Sequence, residues 1–258
     1  MSYKPGATIW IDHIPALYLE PPTSQKTRRL VITLPGLSGT KESMRPILQD
    51  LAAAGYYALS FDPWQHGERG TENQEQISKR VFGSFRRHFW PILGNTVLDT
   101  MRVIDWAAAN LKVEPQVYMV GTSMGGDIAT AAAGLDHRIE RIATVVSTAD
   151  WLRPGMQGQG GLLPQGEPDT YARFFYDHCN PLTHLDAFAH GPAIRFTCGA
   201  ADNHVPPDGA LRFREALSKK YPAAGAKVQV KLIPGKGHMD FVGRELWWPE
   251  SLAWLTVK

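Results

Sequence analysis

The chain has 258 residues, of which 43% are hydrophobic and 20% are charged, and its formal net charge is +2 at pH 7. This length and composition are typical of one globular α/β domain with an ample core. The small net charge gives no reason to expect nucleic acid or an anionic membrane as a partner.

Segments that predict strands and helices alternate along the chain, without repeats or a domain-sized linker. Short apolar runs predict strands, in chain order, at residues 8–11, 16–19, 29–34, 56–61, 116–120, 141–147, 193–198 and 228–233. Helical spacing predicts helices near residues 47–52, 97–111, 127–134 and 210–217, and a last helix from residue 244 that is interrupted at Pro249. This order predicts a single α/β domain over residues 1–258, with a doubly wound, mostly parallel sheet and an antiparallel edge.

The first residues and the cysteines favour a cytoplasmic location. Residues 1–6 lack the apolar run of a signal peptide, and no stretch of the sequence has the length and apolarity of a membrane span. The two cysteines, Cys179 and Cys198, form neither a CxxC pair nor a disulfide framework. We therefore expect a cytoplasmic protein that does not associate with membranes.

Ser123 lies in Gly121-Thr122-Ser123-Met124-Gly125, a G-x-S-x-G motif between a predicted strand and a predicted helix. Strand, tight turn and helix form the context of a nucleophile elbow, where a strained turn exposes the serine hydroxyl. Glycine is expected to be required at positions 121 and 125, because a side chain there would collide with neighbouring backbone. The alternative is an ordinary glycine-rich turn with an inert serine.

An acid and a histidine follow two later strands. Asp202 comes after the strand at 193–198 and His238 after the strand at 228–233, so both are expected at carboxyl ends of the sheet. His238 is predicted to take the proton of Ser123, while Asp202 holds the imidazole in the productive tautomer. Asp150, after the strand at 141–147, is the alternative acid.

These motifs, with Leu34-Pro35-Gly36-Leu37-Ser38-Gly39 and the block 61–69, resemble those of bacterial α/β-hydrolases of the dienelactone-hydrolase-like and small-esterase kind. In that superfamily the triad follows the chain order Ser, Asp, His. Dienelactone hydrolases proper carry cysteine at the elbow and haloalkane dehalogenases carry aspartate, so serine argues against both chemistries.

The resemblance implies an oxyanion hole built from two backbone N–H groups. In the family, one comes from the residue after the glycine of the first block and the other from the residue after the nucleophile, which here are Leu37 and Met124. Each such donor contributes roughly a hundred- to a thousandfold in rate. Pro35 replaces the histidine that is common at this position, which leaves Ser38 as an alternative to Leu37.

Other polar residues near the motifs are expected to support the site. Asp62 and His66 correspond to the family's Asp-x-x-x-x-Gly loop, which they are expected to brace by hydrogen bonds. His204 follows Asp202 closely and is expected at the rim. Three further histidines show no metal-ligand spacing with acids, so we expect neither a metal nor a cofactor.

Two segments, 64–94 and 150–191, exceed the minimal scaffold and follow strand ends, so both can overhang Ser123. The second is predicted to be a small cap or lid insertion with a glycine-rich loop at 158–161; the alternative is an aromatic helix packed on the scaffold. The aromatic content of the two segments predicts a closed apolar substrate pocket lined by Trp64, Phe85, Trp151, Phe174 and Phe175.

The expected function is that of a serine hydrolase that cleaves small-molecule carboxylic esters through an acyl-enzyme. The same triad would also serve a thioesterase, an amide or peptide hydrolase, or a carbon–carbon bond hydrolase. A catalytically silent α/β-hydrolase that only binds a ligand is the alternative of another class.

Overall fold

The computed structural model of the chain describes residues 6–22, 27–158 and 160–256. The strands are β1 (Thr8–Ile11), β2 (Ile14–Leu19), β3 (Leu30–Leu34), β4 (Tyr57–Phe61), β5 (Val117–Thr122), β6 (Ile139–Val145), β7 (Gln157–Gly158), β8 (Gly161–Leu162), β9 (Ala193–Gly199) and β10 (Val228–Ile233). The α-helices are α1 (Arg45–Ala53), α2 (Gln74–Gly83), α3 (Phe85–Asn110), α4 (Met124–Leu135), α5 (Thr170–Cys179), α6 (Asp208–Lys220), α7 (Pro222–Gly225) and α8 (Trp248–Thr256).

Eight of these strands form one sheet in the order β1-β2-β4-β3-β5-β6-β9-β10. Strand β2 runs antiparallel to both of its neighbours, β1 and β4, and the remaining neighbours are parallel. The predicted mostly parallel sheet with an antiparallel edge is therefore confirmed.

Alternate residues of the strands pack into two hydrophobic clusters, one on each face of the sheet. In β3, Leu30, Ile32 and Leu34 join one cluster and Val31 joins the other. Because successive side chains of a strand point to opposite faces, this alternation shows that both faces of β3 are covered. Burial of both faces explains why the sequence of β3 is an almost uninterrupted apolar run.

The chain order reverses around β3, because β4 pairs with one side of it and β5 with the other. Leu34 and Gly121, at the carboxyl ends of β3 and β5, are register partners. The loop after β3 and the turn after β5 therefore lie side by side, at the switch point where open α/β sheets bind their ligands.

Two helices differ from the predicted ones, in both cases at a proline. Helix α3 runs unbroken through Pro91, whereas the apolar spacing predicted a helix only over 97–111. Its buried face continues through Phe85 and Phe89, and this packing outweighs the backbone hydrogen bond that proline removes. Helix α8 begins at Trp248, so Pro249 lies in its first turn, where proline is tolerated, and does not interrupt a helix from residue 244.

The segment 150–191 contains the β7–β8 hairpin at the predicted glycine-rich loop, followed by α5. The Asp169 side chain accepts the Ala172 N–H at 2.9 Å and caps α5. Helix α5 packs closely on α3, since a Cβ at Gly94 would lie 2.0 Å from the Phe175 ring. The aromatic helix of this segment is thus packed on the scaffold.

Across the three described ranges, the structure contains no helix that combines the length and the apolarity needed to cross a bilayer.

Candidate active site

Ser123 directly follows β5 and precedes the first residue of α4, with φ 50° and ψ −117°. A non-glycine residue at positive φ is strained, and such strain is concentrated at functional sites. Backbone hydrogen bonds hold the turn: the Ser123 N–H donates to Val145 O at 2.8 Å, and the Ser123 carbonyl accepts from Gly126 and Asp127 at 2.9 and 3.1 Å. The strand, strained turn and helix of the predicted elbow are all present.

Glycine is required at both positions of the motif for the steric reason that the sequence predicted. A Cβ at Gly121 would lie 2.2 Å from the carbonyl oxygen of Gly125, and a Cβ at Gly125 would lie 2.2 Å from that of Leu34. Both distances are far inside van der Waals contact. The turn after β5 can therefore approach the end of β3 only with glycine at these two positions.

Asp202 and His238 meet as the sequence predicts. His238 Nδ1 lies 2.9 Å from Oδ2 of Asp202, whose side chain is buried. The other carboxylate oxygen, Oδ1, accepts the backbone N–H groups of His204 and Val205 at 2.9 and 2.8 Å. Three hydrogen bonds thus fix the carboxylate in the orientation that holds the imidazole.

The alternative acid, Asp150, is directed elsewhere. Its Oδ2 accepts Arg212 Nη2 at 2.6 Å, and its Oδ1 accepts the backbone N–H of Leu152 at 3.0 Å. The carboxylate of Asp150 therefore binds α6 and the start of the segment 150–191, whereas the carboxylate of Asp202 binds His238.

The loop after β3 presents one backbone N–H to a histidine and leaves its neighbour free. The Ser38 N–H donates to Nε2 of His66 at 3.0 Å, and the opposite ring nitrogen, Nδ1, lies 2.9 Å from Trp64 O. Within the described residues, the N–H groups of Leu37 and Met124 have no hydrogen-bond acceptor. This arrangement favours Leu37 over Ser38 as an oxyanion donor, together with Met124.

His66 is neutral in this arrangement. A carbonyl oxygen only accepts, so Nδ1 carries the proton and Nε2 receives the Ser38 N–H. Burial lowers the pKa of His66 and outweighs the opposing hydrogen bond to Trp64 and the charge of Asp62. The neutral tautomer that the loop requires is therefore also the one that burial favours.

Asp62 holds the far end of the same loop. Its Oδ1 accepts the backbone N–H of Lys41 at 2.8 Å, and its Oδ2 accepts the Lys41 ammonium at 3.1 Å and the Glu68 N–H at 3.0 Å. Lys41 also pairs with the Glu68 carboxylate at 2.6 Å. Asp62 and His66 thus brace the loop by hydrogen bonds, as their place in the motif predicts.

A cavity of about 1280 Å³ opens over the elbow, and both Ser123 and His238 line it. One wall is mainly apolar and comes from residues that follow the loop after β3 and residues that follow His238. Its apolar members are Met44, Pro46, Ile47, Phe241, Val242 and Trp247, and the charged Asp240 and Arg244 lie among those that follow His238. The opposite wall comes from α2, the β7–β8 hairpin and the Asp202 loop, and is lined by Gln74, Ser78, Phe82, Gln157, Leu163, Asn203 and His204.

The five aromatic residues predicted to line the pocket do not line this cavity, so that prediction is wrong. Phe85 and Trp151 are fully buried, and Phe175 is nearly so. The Trp64 ring packs under the Arg69 guanidinium at 5.0 Å, and Phe174 is an exposed residue of α5. Aromatic content indicates burial, but it does not indicate which side of a segment faces the nucleophile.

The sequence did contain a signal for the apolar wall that was missed. Met44 and Ile47 come shortly after the predicted oxyanion loop, and Phe241 and Trp247 come shortly after His238. Large apolar residues that closely follow a catalytic loop are brought to the site by the loop itself. The hairpin residues Gln157 and Leu163 offered no such signal.

No group of three or more His, Cys, Asp or Glu side chains within the described ranges is arranged to hold a metal ion.

The fold of the chain is similar to that of several solved structures. A Thermus thermophilus protein, TT1662, superposes with a TM-score of 0.69, at 22% identity and 95% coverage of each chain. Esterase 2 of Thermogutta terrifontis superposes with a TM-score of 0.63, at 18% identity over 96% of this chain and 91% of the esterase. At these identities the likeness demonstrates a shared fold.

Among curated proteins, "Putative hydrolase YtaP" of Bacillus subtilis is 23% identical over 198 residues, or 74% of this chain. The chain spans 62% of that relative's length. A profile of the prolyl oligopeptidase family matches residues 43–255, a range that contains Ser123, Asp202 and His238. The chain therefore belongs to the prolyl oligopeptidase family, within the α/β-hydrolase superfamily that its motifs predicted.

Proposed function

We propose that this serine hydrolase of the α/β class cleaves carboxylic esters of small molecules through a covalent acyl-enzyme. The observation that carries the proposal is a strained Ser123 that lines the same cavity as His238, whose Nδ1 lies 2.9 Å from the Asp202 carboxylate. A serine hydroxyl is a weak nucleophile alone, and an oriented histidine is what activates it.

In the first half of the reaction, Ser123 Oγ attacks the ester carbonyl carbon and passes its proton to Nε2 of His238. The Nδ1–H of His238 donates to Asp202, which stabilises the imidazolium that forms. The free N–H groups of Leu37 and Met124 donate hydrogen bonds to the carbonyl oxygen as negative charge develops on it. Ser123 and Met124 lie together at the start of α4, where the helix N-terminus also favours negative charge.

In the second half, the imidazolium returns its proton to the leaving alcohol oxygen as the carbon–oxygen bond breaks. A water molecule then attacks the acyl-enzyme, with His238 again acting as the base and Ser123 as the leaving group. The products are a carboxylic acid and an alcohol. The triad and two backbone N–H groups supply every proton transfer and the stabilisation of the oxyanion.

Peptide bond hydrolysis is the second candidate, and the description of the family favours it. An exopeptidase must bind a charged chain terminus. The charged lining residues of the cavity are Asp240, which accepts from Gly237 N–H and Lys236, and Arg244, which pairs with Asp50 at 2.6 Å. Since both already have partners, the lining supports an uncharged ester over a peptide terminus.

The test of the nucleophile is the substitution Ser123→Ala. We expect a folded protein whose kcat on an activated ester falls by about 10³- to 10⁶-fold. A fluorophosphonate probe is expected to label the wild type and to leave the variant unlabelled. Ser43→Ala is the matched control, because Ser43 also lines the cavity but donates its hydroxyl to Thr40 O at 2.6 Å. Undiminished turnover by folded Ser123→Ala contradicts the proposal.

The bond type is tested by comparing esters, thioesters, amides, short peptides and β-diketones of matched acyl groups. The proposal requires the highest kcat/KM on the oxygen ester. A higher value on a peptide establishes the second candidate, and a higher value on a thioester or a β-diketone identifies a thioesterase or a carbon–carbon bond hydrolase. Ligand binding without turnover of any substrate identifies a silent binding protein.

A further inference from the structure

His204 is held beside the triad histidine by contacts on three sides. Its backbone N–H donates to Oδ1 of Asp202 at 2.9 Å. Its ring meets the His238 ring edge-on, with centroids 4.8 Å apart, and the Phe82 ring lies on another side at 5.3 Å. The imidazole therefore has a defined place next to the group that exchanges protons with the substrate.

Hydrogen bonding fixes the tautomer of His204. Nδ1 lies 3.1 Å from the backbone carbonyl oxygen of Gln157, which only accepts, so Nδ1 carries the proton. Burial lowers the pKa of His204 to about 4, and the nearby charges of Arg153 and His238 act in the same direction. At neutral pH the ring is thus uncharged, and Nε2 is a hydrogen-bond acceptor without a donor.

Nε2 has no partner among the described residues, and the His204 side chain lines the cavity. The same wall is polar and uncharged along Gln157 and Asn203, which are linked by a backbone hydrogen bond of 2.7 Å from Gln157 N to Asn203 O. The facing wall, around Ile47 and Trp247, is mainly apolar, and its charged members Asp240 and Arg244 are already paired. The two sides of the cavity therefore suit two different substrate parts.

We propose that His204 is a specificity-determining residue that accepts a hydrogen bond from a hydroxyl or amide N–H group on the alcohol part of the substrate. The substrate class is then an uncharged ester with an apolar acyl part and a donor-bearing alcohol part. This inference rests on the proposed function, because it assigns the two sides of an ester.

The assignment of sides follows from proton transfer. His238 must reach the leaving oxygen to protonate it, so the alcohol part lies next to the His238 ring. His204 contacts that ring edge-on. The acyl part then extends from the oxyanion loop along the apolar wall, where Met44 and Ile47 follow that loop in the chain.

The test uses 2-hydroxyethyl butyrate and 2-methoxyethyl butyrate, which have similar leaving groups and differ in the donor. One neutral hydrogen bond corresponds to a ratio of kcat/KM values of about two- to tenfold in favour of the hydroxyl ester. In His204→Asn, the amide N–H takes the place of the Nδ1–H and no atom replaces the acceptor Nε2. We therefore expect the ratio of kcat/KM values to fall to about one. In His204→Gln, an amide oxygen replaces Nε2, and we expect the ratio to stay above that of His204→Asn.

The outcomes separate the two proposals. Turnover of both esters by the wild type with a ratio near one overturns the role of His204, and this measurement requires no variant. An unchanged ratio in His204→Asn also overturns it, as does an equal ratio in the Asn and Gln variants. Absence of turnover together with absence of fluorophosphonate labelling overturns the proposed function, and the inference with it.

Discussion

His66 offers a sharp test of how the oxyanion loop is positioned. The substitution His66→Phe keeps a ring in this buried place but removes the acceptor of the Ser38 N–H, now at 3.0 Å. Leu37, the proposed donor to the oxyanion, is the residue immediately before Ser38. The loop is then still held at its far end, where Asp62 accepts the Lys41 N–H at 2.8 Å.

The expected loss lies between two limits. Removing an oxyanion donor entirely costs about 10²- to 10³-fold in kcat, and a displacement of 1 Å can cost about 10²-fold. Because Asp62 still holds Lys41, we expect a partial displacement of Leu37 and a fall in kcat of roughly 10- to 100-fold. KM changes little, since the oxyanion forms only in the transition state. The orphaned backbone N–H also lowers the free energy of unfolding by about 1–3 kcal/mol.

The assay measures kcat and KM on a small activated ester, with thermal unfolding in parallel. His66→Gln places an amide oxygen near the former Nε2 and is expected to recover most of kcat. His178→Phe is the matched control, because His178 is an α5 residue whose Nδ1 contacts only the Phe174 carbonyl of its own helix. Wild-type kcat in folded His66→Phe refutes the reasoning, and so does a His66→Gln variant that is as slow as His66→Phe.

Three further predictions follow from the same geometry. Asp202→Asn is expected to lower kcat by roughly 10³- to 10⁴-fold, because it favours the wrong tautomer of His238. Asp150→Asn is expected to lower kcat far less. If steady-state kinetics show the reverse order, Asp150 is the acid. The folded pKa of His204 is about 4 against a usual 6.5, so below pH 6.5 the unfolded chain binds a proton that the folded chain does not. The free energy of unfolding therefore decreases as pH falls from about 6.5 to about 4, by at most about 3 kcal/mol from this group. Denaturant unfolding at pH 7 and pH 4.5 should show a smaller decrease for His204→Asn than for the wild type, and an equal decrease contradicts this prediction. Ile47→Trp adds bulk to the apolar wall that also contains Trp247, and it is expected to move the preferred acyl chain to shorter lengths in a series from acetate to decanoate. An unchanged chain-length profile places the acyl part elsewhere.

The sequence predicted the main sheet well because each strand carries its own local signal. Strands such as β3 and β4 are buried at every residue, so their apolar runs are uninterrupted and their ends fall within one residue or two of the predicted bounds. The G-x-S-x-G motif is equally local, since Gly121 and Gly125 are required by contacts within a single turn and its neighbouring strand. The pairing of Asp202 with His238 could be predicted because each follows a strand of a parallel sheet.

The substrate pocket was not predicted correctly because it depends on which side of a segment faces the site. Trp151 and Phe85 are large and apolar, and both are buried in the scaffold, where Trp151 O accepts the Trp90 indole N–H at 3.0 Å. Phe82, only three residues before Phe85, lines the cavity. Three residues of chain separate a wall residue from a core residue, and composition alone does not distinguish them.

The segment 150–191 therefore divides into two parts with different consequences for the protein. Phe175 and the rest of α5 pack on α3, so changes there act on stability through the close contact at Gly94. The β7–β8 hairpin reaches the site because Gln157 bonds to both Asn203 and His204. Since those two residues belong to the loop that carries Asp202, the proposed triad acid, we expect changes in the hairpin to act on substrate preference. On the proposed function, variation in the hairpin is therefore expected to alter specificity while the packing of α5 on α3 stays the same.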